Sequence, residues 1–139
     1  MTKEEYLNQV GRLQHKLKMM KLRAEEYEEL ANSIPTQNYS RERVSGTRNL
    51  EAPFVKWLNK LWDLEIDMKE VEQKLDEKRA EIITVIEALS DENQKSVLML
   101  RYISLLSFNQ ITNKMYFSLS TIKRWHKEGI ENIKIDFKK

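Results

Sequence analysis

The sequence predicts an all-α protein, with a long N-terminal helical hairpin or coiled coil followed by a small trihelical helix-turn-helix lobe. Three observations lead there. Charged residues make up 33% of the 139 residues. Only three Gly and two Pro interrupt the chain. Apolar residues recur at three-and-four spacing rather than in the alternation of half-buried strands. The length suits one ordinary domain or two small lobes. The expected division is a long-helix region over 1–89, with a connector over about 32–53, and a lobe over 90–139.

In the first helix Tyr6, Val10, Leu13, Leu17, Met20, Ala24, Tyr27 and Ala31 share one stripe. Its polar surface carries Lys16, Lys18, Lys21 and Arg23, then Glu25, Glu26, Glu28 and Glu29. Charges of both signs along a long helix read first as its solvated face. The connector NSIPTQNYSRERVSGTRNLEAP, with Pro35, Gly46 and Pro53, is unable to sustain a helix. Its Arg41, Arg43 and Arg48 form a candidate phosphate-contacting arm.

The second helix starts after Pro53 and holds a cleaner repeat: Trp57, Leu61, Leu64, Met68, Val71, Leu75, Ile82, Val85 and Leu89, with Lys78 the one polar residue on the seam. At roughly 36 residues it would run about 54 Å. Phe54, Leu58, Trp62, Ile83 and Ile86 widen the stripe beyond a two-stranded seam. A hairpin that also forms a homodimer through the long helices buries both.

Ser90, followed by Asp91 and Glu92, is the expected N-cap of the next helix. From there the pattern is helix, break, helix, break, helix. Val97, Leu98, Leu100 and Tyr102 or Ile103 come from the first, Phe108, Ile111 and Met115 from the second, and Ile122, Trp125, Ile130 and Ile133 from the third. Ser107 with Gln110 has capping-box spacing, and Ser118 is placed to cap the last helix. Two helices across a tight turn make a helix-turn-helix, whose second helix enters the major groove.

With that apolar set inward, the expected DNA-facing residues are Ser118, Leu119, Ser120, Thr121, Lys123, Arg124 and Lys127. Leu119 and Thr121 suit a thymine methyl, Arg124 a guanine, and Lys123 and Lys127 phosphates. Arg101 and Lys114 are further candidate phosphate contacts. From Ser90 onward nine Lys/Arg stand against five Asp/Glu, so the basic part of a chain of net charge +2 is its C-terminal third. The alternative on residue physics alone is a trihelical lobe with a solvated basic face.

Other functions find less in the residues. His15 and His126 are the only histidines and lack metal-pair spacing; there is no Cys, nucleophile elbow or phosphate-binding Gly loop. No enzyme activity, metal or cofactor is expected, and His126 is expected on the surface or beside a phosphate. The start MTKEEYLNQV lacks a signal-peptide core, and no apolar run reaches membrane-span length. A cytoplasmic protein without membrane association is the expectation.

The run VLMLRYISLLSFNQITNKMYFSLSTIKRWHKEGIENI, Val97 to Ile133, resembles the fourth region of bacterial sigma factors. There a VL-x-x-R-aromatic helix leads through a helix and a turn ending in Ser or Thr to a recognition helix. More broadly, residues 40–133 resemble small phage-encoded transcription regulators of the RinA and ArpU type, on SRERVSG, the long Glu/Lys-rich helix, LRYI-x-x-x-SF-x-x-I and S-x-STIKR. The resemblance implies a phage or prophage regulator in the cytoplasm of an infected or lysogenic bacterium, binding double-stranded DNA, with RNA polymerase a candidate protein partner. Leu119, Ser120 and Thr121 stand where sigma recognition helices carry charge, Thr112 where Ala or Gly is preferred, and Tyr116 where Gly or Asp is usual. These departures leave the fold expected and point to a different target sequence. Two other classes fit the pattern: an interaction module that binds RNA polymerase or another protein with little DNA affinity, and a small terminase-like DNA-packaging subunit.

Overall fold

The computed structural model describes residues 1–33 and 53–135, and the chain is all-α, with no strand among the described residues. Its helices are α1 (Lys3–Leu7), α2 (Gln9–Asn32), α3 (Pro53–Glu87), α4 (Glu92–Leu98), α5 (Phe108–Met115) and α6 (Leu119–Asn132). A π-helical turn, Met99–Ile103, continues α4. The 35 residues of α3 make a helix of about 52 Å. It opens on Pro53, where a missing N–H leaves no gap in the first helical turn. Arg41, Arg43 and Arg48 lie outside the described residues.

The chain divides into two compact units, Met1–His15 with Gln73–Lys139, and Lys16–Glu72. The break between Leu89 and Ser90 falls inside the first unit, as the end of α3, because the N-terminal residues share that unit with the C-terminal helices. Thr2 caps α1 by accepting from Glu5 N at 3.1 Å. Leu7, Val10, Ile82, Ile86 and Leu89 are buried. Tyr6 donates to Glu81, Arg79 Nη2 donates to Gln14 Oε1 at 3.2 Å, and Lys3 Nζ donates to the Glu131 carbonyl at 3.1 Å. Lys78, the seam's polar exception, lies 5.5 Å over the Tyr6 ring and pairs with Glu81 at 3.1 Å. Its stem therefore packs while its ammonium stays wet.

In the second unit Leu17, Met20, Leu64 and Val71 are buried, and the rings of Tyr27 and Trp57 stack at 6.0 Å. The predicted seams are thus the faces that α2 and α3 bury in each unit. Trp62, expected to widen the buried stripe, is instead 56% exposed, and Ile66 is 60% exposed.

The short helices enclose a core of Val97, Ile111 and Ile122, with Leu100, Leu106, Phe108, Met115 and Trp125 packed around it. Asp91, not Ser90, caps α4, its carboxylate accepting from Asn93 N at 2.8 Å and Gln94 N at 3.1 Å. The acid one residue on is the charged, stronger acceptor for those amides. After the π turn, Leu105 takes a left-handed φ of 59° and Leu106 N reaches back six residues to the Leu100 carbonyl at 3.0 Å, one residue wider than the closing bond of a Schellman motif, as ending on a π turn requires.

Candidate nucleic-acid interface

The interface rests on how α6 is started and seated. Ser118 caps it, its Oγ accepting from Thr121 N at 3.3 Å. The Ser118 hydroxyl also lies 2.8 Å from Thr121 Oγ1 and 3.3 Å from Ser120 Oγ. The Thr121 hydroxyl is thus engaged by the cap. Ahead of this, α5 starts in the expected capping box: Ser107 Oγ accepts from Gln110 N at 3.2 Å and Ser107 N donates to Gln110 Oε1 at 2.8 Å. Between the helices Tyr116 sits in the left-handed region at φ 62°, so two residues, Phe117 and Ser118, suffice to start α6.

Ile122 and Ile133 are fully buried, and Gly129 is buried too, an inward residue that hydropathy did not mark. A Cβ at Gly129 would stand 3.1 Å from Leu98 Cδ1 and 3.2 Å from Leu98 Cγ, so the bare backbone lets α6 close on α4. Asn132 Nδ2 donates to Oε1 of buried Gln94 at 3.0 Å, fixing the far end. Phe117 meets Trp125 edge to face at 4.8 Å, bracing the turn.

His126 is not a surface residue as expected. It is half-buried, 2.6 Å from Tyr102 Oη through Nε2, stacked on the Tyr102 ring at 5.6 Å and edge-on to Phe108 at 5.1 Å. Burial first, then the charge of Arg101, lowers its pKa below the ordinary His value, against a raising contribution from Glu4. Burial also pushes the Tyr102 phenol up to about 12. The spacing of Ile122, His126, Gly129 and Ile133 is itself heptad-like, and that signal was available in the sequence.

Of the candidate DNA contacts, Ser118, Leu119, Ser120, Lys123, Arg124 and Lys127 are exposed and Thr121 is half-buried. They gather along the first turns of α6. Lys114, exposed on the last turn of α5, lies on the element that the turn joins to them. Among the described residues no ion pair involves Lys114, Lys123, Arg124 or Lys127. Arg101, a candidate phosphate contact, is half-buried and also has a structural role. Its Nη1 donates to the Leu106 carbonyl at 3.1 Å and its guanidinium lies 4.4 Å over the Phe108 ring, so it braces the loop after the π turn. No group of three or more His, Cys, Asp or Glu able to hold a metal occurs among the described residues, and no described helix is long and apolar enough to cross a membrane.

A capped helix seated on two others across a tight turn, with cations outside any ion pair along its outward face, has the arrangement of a helix-turn-helix. Residues 34–134 match the model of the family described as protein of unknown function (DUF1492), and the chain belongs to that family. No curated protein and no solved structure matches the chain.

Proposed function

We propose that the trihelical lobe binds duplex DNA through α6, and that the chain is a phage or prophage transcription regulator acting in the cytoplasm of its bacterial host, with a second copy and RNA polymerase as protein partners. The observation that carries the reading is the row Lys123, Arg124 and Lys127, exposed and unpaired on a helix whose opposite side is buried. Cations outside any ion pair favour a polyanion by releasing its counterions. The resemblance of Val97–Ile133 to sigma region four supports the same assignment.

The test is fluorescence anisotropy with duplex DNA over a salt series. Affinity should fall steeply with salt, and the double substitution Lys123→Ala and Lys127→Ala should reduce the log–log slope by about 2, since each phosphate contact contributes about 0.9. An unchanged slope would remove this face from the reading. One observation favours a protein-binding role: Tyr116 is 90%, Phe117 45% and Leu119 38% exposed, an apolar tip beside the basic row. Retention of RNA polymerase by a chain that shows no salt-dependent DNA binding would select that second reading.

A further inference from the structure

We propose that Arg12, at the start of α2, holds a backbone phosphate of the duplex beside the groove that α6 enters, with Asn8 and His15 lining the same seat. The inference rests on the DNA reading of α6 and deepens it with a contact from outside the helix-turn-helix.

A series of contacts tracks the start of the chain along α6. Lys3 Nζ donates to the carbonyl of Glu131 near the end of that helix. Glu4 is close enough to act on the charge of His126, more than a turn nearer the beginning of α6. Gly11 meets the loop ahead of α5, where a Cβ on it would stand 3.3 Å from Leu105 Cδ2. The carbonyl of the next residue, Leu106, accepts from Arg101, whose guanidinium lies 4.4 Å over the Phe108 ring at the start of α5. Lys123, from the basic row of α6, lies 6.0 Å from the centre of that same ring. The chain thus passes from the far end of α6 to the flank of the α5 start, the side on which Lys123 lies. Because Gly11 has no Cβ, α2 closes on the Leu105 loop and carries Arg12 to this flank.

What the track delivers there is basic and polar. Asn8, Arg12 and His15 follow at spacings of four and three, one helical stripe, and all three are exposed. With Gly11 they line a shallow depression of about 380 Å³. The Arg12 side chain makes no hydrogen bond or ion pair among the described residues. From Asn8 to His15 there is no Asp or Glu, and Glu4 and Glu5 come about two turns before Arg12. A guanidinium with all its donors available, beside an amide and an imidazole, offers the fork that phosphate oxygens accept. In a helix-turn-helix the first helix of the pair crosses the DNA backbone while the second lies in the groove. A cation on the flank of α5 therefore meets phosphate rather than bases.

Fluorescence anisotropy of the full chain on a mixed-sequence duplex of about 30 base pairs, roughly three turns of DNA, tests this over a salt series. Arg12→Ala should reduce the log–log slope by about 0.9, the share of one phosphate, and by the same amount again on top of Lys123→Ala with Lys127→Ala. Arg12→Lys should keep the slope. His15→Lys should raise it by about 0.9, a gain that loss of folding does not imitate. Thermal unfolding of the Arg12 variants should match the wild type, since the side chain has no hydrogen bond within the chain to lose. A slope unchanged by Arg12→Ala, or lowered equally by Arg12→Lys, overturns the phosphate contact. If Lys123→Ala with Lys127→Ala still lowers that slope, the DNA reading of α6 stands without it. A wild-type chain whose DNA binding ignores salt removes both.

Discussion

Tyr116 is a large side chain held at φ 62° and 90% exposed, in a turn position that suits glycine. A left-handed residue with a Cβ costs roughly 1–2 kcal/mol, and nothing in its surroundings offsets that by packing. Tyr116→Gly should therefore stabilise the chain by about 0.5–1 kcal/mol in urea unfolding, the relief being reduced by the greater freedom of glycine in the unfolded chain. Leu105 shares the conformation at φ 59° but not the outcome. A Cβ on Gly11 would stand 3.3 Å from Leu105 Cδ2, so this leucine lies against α2 and glycine there would forfeit packing. If Tyr116→Gly is neutral or destabilising, the left-handed turn is not under strain. If it stabilises but weakens DNA or protein binding, the exposed ring is kept for contact.

At the scale of elements, α6 shows which signals the sequence carried. Its start was legible because capping is local: Ser118 reaches Thr121 N, and Ser107 reaches Gln110 N, each three residues on. Exposure of Lys123, Arg124 and Lys127 followed from the helical period. The inward face was only partly legible. Trp125 packs against the core as its hydrophobicity suggests and Ile130 is half-buried, but His126 is half-buried too and Gly129 is buried, and hydropathy marked neither of these. What placed them is tertiary: the Tyr102 hydroxyl for one, the approach of Leu98 for the other. The structural role of Arg101 was hidden for the same reason, since the Leu106 carbonyl it meets is presented only after the chain turns at Leu105. The close approach of α6 to α4 predicts that Gly129→Val overpacks the contact and destabilises by about 1–3 kcal/mol, despite the better helix propensity of valine. Thermal unfolding checks this; an unchanged or higher Tm would show that Leu98 yields freely.

For the whole molecule, the unit holding both termini joins its short helices through an aromatic cluster as well as an aliphatic core. His126 from α6 meets Tyr102 from the π turn and Phe108 from α5, with Arg101 over the Phe108 ring at 4.4 Å and Lys123 at 6.0 Å. Glu4 of α1 is the opposing charge felt by His126, and Arg101 the like one. Folding lowers the His126 pKa from its ordinary 6.5, so the unfolded chain takes up this proton first as pH falls. The stability contributed by the neutral ring is therefore complete above that ordinary value and is lost as pH drops below it towards the depressed folded pKa. Carboxylates titrate lower and affect a His126→Gln variant equally, and glutamine retains an amide that can donate to the Tyr102 oxygen. Urea midpoints compared at about pH 7.5 and about pH 5.5 should fall further for the wild-type chain than for His126→Gln. Parallel behaviour of the two would mean that the ring titrates alike in folded and unfolded chains, and that the cluster joining α4, α5 and α6 does not depend on a neutral imidazole.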